Sequence, residues 1–288
     1  MKSIRCGCLL GALILGGCAK EGYSVHSGRV TWGQRQPKGY VQEQVVTGAV
    51  PAAFEILGKN HGRDNNHVFF QTKELKGCDP ASAQLLAEKN FYLRDKSQVF
   101  AGDLPISDDP DHFELLSRGW SRDSRRVFFL AQPLPQSDPA TFEPLPDSPY
   151  AGKDASHVYW RSQLLPDTEP QGYQVLQGLY SKGRNHAFFD GILLEGADGS
   201  SFITPTERFG HDQHRVYYNG VWVKQADARS AQFPGGDYLK DKNSVFFGAK
   251  QIPEADPSSF ETFQENGLCG RDKSHVFHGA SMVRDGGR

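Results

Sequence analysis

The sequence predicts an all-β protein, a tandem array of about eight short β-meander or hairpin repeats of roughly 30 residues each. Three observations point there. Glycine and proline are abundant (31 and 17), aromatics make up 11% and methionines number 2, a balance that suits short strands and tight turns better than helices. An aspartate column, always preceded by a basic residue, recurs at intervals of 28 to 31 residues. Four and five positions after it stand a β-branched or small apolar residue and then an aromatic, in every copy.

The aspartate column runs Asp64, Asp95, Asp123, Asp154, Gly183, Asp212, Asp241 and Asp272, with glycine as its one departure. The basic column before it is Arg63, Arg94, Arg122, Lys153, Lys182, His211, Lys240 and Arg271. The apolar column is Val68, Val99, Val127, Val158, Ala187, Val216, Val245 and Val276, and the aromatic column begins at Phe69 and ends at Phe277. A looser signature lies upstream in each copy: Asp-Pro, then an aromatic, often followed by Glu. It is clear at Asp109–Phe113, Asp138–Phe142 and Asp256–Phe260 and degraded elsewhere.

Each unit reads as a meander. Apolar residues before the basic-Asp pair form one strand, and the Asp-led tetrad supplies turn chemistry because aspartate accepts backbone N–H bonds. The Val-aromatic segment forms the next strand. Asp190-Gly191 and Asn219-Gly220 are hairpin turns leading to a return strand. The Asp-Pro segment breaks the sheet, with room for one helical turn capped by the Asp, and its Phe drops into the core as a plug. A unit this small cannot cover both faces, so neighbours must stack, with the Val and aromatic columns between them. The expected arrangement is an open β-solenoid; the alternative is a closed, propeller-like ring.

The columns resemble the DKNYY-type repeat of bacterial exported and lipid-anchored proteins. Asp241-Lys242-Asn243-Ser244-Val245-Phe246-Phe247 carries the likeness best, followed by the copies from Asp95 and Asp272. The resemblance spans residues 51–283 and implies a fold but no reaction.

The N-terminus reads as an address. Lys2 and Arg5 precede a short apolar stretch ending in Leu15-Gly16-Gly17-Cys18, which resembles a lipobox. That resemblance implies removal of residues 1–17, acylation of Cys18 and stable anchoring through several acyl chains. With Ala19 next, the outer membrane is the expected address in a Gram-negative cell. Residues 18–50 are expected to form a tether and a capping segment, with strands near 30–32 and 40–46, and residues 51–285 the eight-repeat domain. Cys78 and Cys269 remain in an oxidising compartment, and a disulfide between them would favour the ring.

The net charge of −2 excludes a strongly basic nucleic-acid binder. The basic column could meet an anionic polymer, but pairing with Glu55, Glu114, Glu143 and Glu261 is the expectation the near-neutral charge favours. Calcium is disfavoured because the loops lack an EF-hand's glycine and distal glutamate. A metal on the column His67, His157, His186 and His275 is disfavoured because no third ligand column accompanies it. Trp120, Trp160 and Trp222 are read as core or rim in preference to sugar platforms. No nucleophile elbow, zinc-protease motif or phosphate loop occurs. The expectation is therefore a non-enzymatic, lipid-anchored envelope protein, without cofactor, that binds an envelope protein or glycan. The alternatives are an envelope enzyme with a cryptic site and a structural spacer.

Overall fold

The computed structural model describes residues 20–86, 91–263 and 267–283. Cys18 and the leader lie outside them. The chain divides into two compact units, Met1–Phe113 and Glu114–Arg288. Nine separate antiparallel sheets follow one another, each with its strands in simple chain order. Among the described residues no sheet closes into a barrel, and the two short helices are single 3-10 turns. The all-β array of meanders is thus present, with ladders confined to each repeat as in an open β-repeat protein.

In the first unit, β1 (Gly22–His26), β2 (Arg29–Arg35) and β3 (Val41–Val45) form the leading sheet. The tether expected at the start of this stretch is therefore a strand from Gly22 onward. Tyr23, Val30 and Trp32 have few sequence neighbours of like kind, yet they gather with Val46 over Phe69. The first repeat follows as β4 (Glu55–Ile56), β5 (His61–Arg63), β6 (Val68–Phe70) and β7 (Lys73–Glu74). Its pattern recurs through the eighth repeat, except that the sixth has three strands plus an isolated bridge.

Neighbouring residues on a strand point to opposite faces, which explains the paired columns. The aromatic covers the preceding sheet, as Phe69 covers Tyr23 and Trp32. The valine faces the following one, as Val68 packs with Leu93 and Phe100. From Val68 to Val245 the column is fully buried, while Val276 is 37% exposed. The expectation that Val276 is core is corrected: it is on the outward face of the eighth repeat, and no described residue buries it as its seven counterparts are buried.

The plug expected after Asp-Pro is present, and a volume exchange explains its irregular copies. A Cβ on Gly62, Gly152, Gly210 or Gly270 would lie within 2.5 Å of the ring of Phe54, Phe142, Phe202 or Phe260 respectively. Where the strand carries Leu93 or Leu239 instead, the facing loop has the small Ala83 or Ala231 in the same core cluster. Single 3-10 turns occur at Pro51–Ala53, after Val50, and at Ala228–Ser230, where the Asp227 side chain accepts from the Arg229 N–H; the Asp-Pro copies at Asp109, Asp138 and Asp256 carry turns in place of the helical turn expected there.

His61 is fully buried against Phe70, and neither ring nitrogen has a hydrogen-bond partner. Burial lowers its pKa to about 4. In the unfolded chain the ring titrates near 6.5, so protons favour unfolding as pH falls from about 6.5 towards 4. Thermal melting should therefore drop across that window, and His61→Phe should flatten the drop. An unchanged profile in the variant would assign the acid sensitivity elsewhere.

Candidate functional site

The aspartate column is structural. Each carboxylate is nearly buried and closes its turn through Oδ1, which accepts the N–H groups two and three residues on. In the fourth repeat these are Ser156 and His157, at 2.8 and 2.7 Å. Oδ2 accepts a third N–H from the start of the upstream Asp-Pro segment: Val50 to Asp64, Asp79 to Asp95, Asp138 to Asp154, Asp198 to Asp212, Asp227 to Asp241 and Asp256 to Asp272. Burial alone would raise these pKa values, but the backbone donors outweigh it, and Asp64, Asp95, Asp154 and Asp272 stay below the usual carboxylate range. A reciprocal clip completes the link. The upstream hydroxyls of Ser82, Thr141, Ser230 and Ser259 accept the N–H of Lys96, Ala155, Lys242 and Lys273.

The basic column is consumed locally, as the near-neutral charge implied. Arg63, Arg122, Lys153 and Arg271 pair with Glu55, Glu114, Glu143 and Glu261. Arg63, Arg122, Lys182 and Lys240 also donate to carbonyls of the following repeat, at Pro80, Pro139, Phe202 and Phe260. His67, His157 and His275 each place Nδ1 within 3.3 to 3.4 Å of their own turn's aspartate. Among the described residues no three His, Cys, Asp or Glu side chains gather as metal ligands would.

Cys78 and Cys269 are free thiols. Each is engaged within its own unit. Cys78 is buried with Val68 and Leu93, and burial together with the charge of Asp95 raises its pKa to about 12. Cys269 is opposite His278 in the last sheet.

Repeat symmetry breaks where the fifth repeat meets the sixth. Gly183 stands in place of the aspartate, and Gly199 in place of the proline after Asp198. Gly199 lets that loop settle onto the turn: a Cβ there would lie 2.5 to 2.6 Å from backbone atoms of Gly183 and His186, and its N–H donates to the Asn185 carbonyl. Beside this contact is a solvent-open cleft of about 490 Å3, lined by Asn185, His186, Leu193 and the Glu195–Asp198 segment. Arg215 meets the Glu195 end of this lining. It donates to the Glu195 carbonyl and holds its guanidinium 4.5 Å from the Trp222 ring centroid. The two return strands here, Ile192–Leu193 and Val221–Trp222, are exposed and apolar; Ile192 is 68% and Val221 59% accessible. Trp120 and Trp160, by contrast, are buried. Ser200 and Ser201, next to the cleft, both donate to Asp198.

In the sequence Gly183 stands out only as the one departure from the aspartate column, and Gly199 does not stand out at all. The signal available was the coincidence of both departures within one repeat junction.

The match to known families agrees with the repeat geometry. The family model described as the DKNYY family matches residues 23–104, 92–221 and 238–288. No curated protein and no solved structure matches the chain. With its repeats and its sequence both matching along most of its length, the chain belongs to the DKNYY family.

Proposed function

We propose that this is a lipid-anchored bacterial envelope protein, a non-enzymatic binding module whose fifth and sixth repeats dock a partner protein. The observation that carries this reading is the exposure of Ile192, Leu193, Val221 and Trp222, an apolar pair on each of two successive return strands beside the cleft, where the return strands Lys73–Glu74 and Lys250–Gln251 of other repeats are polar. Trp and Arg are the residues most often dominant at protein interfaces, and here Trp222 and Arg215 are stacked at the surface. Local consumption of the basic column argues against a polyanion along the array. In this non-enzymatic reading the hydroxyls of Ser200 and Ser201 serve the loop, where both donate to Asp198. Anchoring rests on the Leu15–Cys18 segment, where lipid would tether the repeats to the outer membrane of a Gram-negative cell.

The test compares the acylated wild-type protein with Ile192→Lys/Val221→Lys after cross-linking in intact cells. A discrete protein adduct in wild type, absent from the double variant, is expected. Equal adducts in both, or capture of glycan alone, would remove the reading. Labelled palmitate should enter the wild-type protein and not Cys18→Ala.

A further inference from the structure

The Gly183 turn keeps the form of its seven relatives while lacking the carboxylate that they enclose. Its closing bond, Gly183 N–H to the His186 carbonyl, is 2.9 Å long. The matching bonds of the aspartate turns measure 2.9 to 3.1 Å. In those turns the N–H groups two and three residues on bind the aspartate Oδ1, as Asn66 and His67 bind Asp64 and as His214 and Arg215 bind Asp212. Asn185 and His186 hold those two positions here, and among the described residues their N–H groups have no other acceptor. Glu169 opens the upstream segment, the position from which Asp138 and Asp198 donate to Oδ2 in their own repeats. Gly183 is buried, and a Cβ on it would meet one atom within 4 Å, the Thr168 Cγ2 at 3.3 Å. Side chains have therefore not closed over the place where the carboxylate would start.

We infer that the Gly183 turn is a binding site for a small carboxylate anion, held by the backbone N–H groups of Asn185 and His186 where the other repeats hold their own aspartate. Successive N–H groups in such a turn form a concave anion site, and a charged acceptor strengthens each bond. The seven aspartate turns show which ligand chemistry the shape takes. Asn185 and His186 also line the neighbouring cleft, so the anion has a path from solvent. Bound there, it would tie the turn as the aspartates do. The inference stands apart from the docking surface: loss of partner capture would leave it untouched.

The probe is sodium formate, titrated into the full chain at constant ionic strength held with sodium chloride. Amide chemical shifts of Asn185 and His186 are followed by NMR, with melting measured in parallel. Saturating shifts at these two amides and a raised melting temperature are expected. Gly183→Asp supplies the carboxylate covalently, so it should lose the formate response and melt about 2–4 °C higher without formate. Because Thr168 stands close, Gly183→Asp/Thr168→Ala is the second variant; alanine is the residue at the matching positions 197, 226 and 255. Amides that do not respond saturably, or that respond equally in the aspartate variants, would overturn the site.

Discussion

Phe246→Ala is expected to destabilise the second unit by about 3–5 kcal/mol, the usual cost of emptying a large aromatic from a packed core. Phe246 is fully buried with Phe209, Val216, Val223 and Leu239, side chains drawn from its own repeat and the one before it. Removing the ring therefore opens a cavity between two repeats. Since each sheet relies on its neighbour for cover, the loss should propagate as reduced cooperativity within the unit. Melting followed by tryptophan fluorescence should show an earlier and broader transition. A melting point equal to wild type would mean that the aromatic column does not bind the repeats together.

Asp154→Ala should be nearly as damaging, at about 3 kcal/mol or more. Asp154 accepts from the N–H groups of Asp138, Ser156 and His157 and from the Tyr159 hydroxyl. Alanine leaves four donors without that acceptor, and each buried donor left unpaired costs about 1–3 kcal/mol; those able to reach water cost less. The same group gives a pH signature. Burial pushes its pKa up, but the backbone donors more than reverse this and the net shift is downward. Its contribution is therefore present above the unfolded value near 3.9 and lost as pH falls through the lower folded value. Denaturant melts at pH 7 and pH 3 should differ less in Asp154→Ala than in wild type. An alanine variant as stable as wild type at pH 7 would reduce the column to ordinary turn residues.

Much of this architecture could be read in advance because it is local. The alternation of Val245 and Phe246 places them on opposite faces, and the Oδ1 of Asp241 closes its own turn on the N–H groups of Asn243 and Ser244. The pairing of Arg63 with Glu55 follows from strands that lie side by side. What escaped notice depends on contacts between distant segments. The second oxygen of six of the aspartates binds an N–H 14 to 16 residues upstream, a partner the turn sequence does not announce. The exchange of Gly152 with Phe142 for Leu93 with Ala83 conserves volume rather than residue type, so it looks like decay in the column. The cleft escaped because Gly183 and Gly199 are unremarkable singly; their meaning comes from the loop that Gly199 allows to approach the turn.

The two unlike faces of each sheet give the stack a polarity. One side offers rings and the other offers valines, and the leading sheet has already closed the ring side over Phe69. A duplicated module inserted between two existing ones would meet a suitable surface above and below. A module added ahead of β1 would meet none of the usual surface. Face matching of this kind would thus let a copy be added within the array or beyond Val276, but not ahead of the leading sheet.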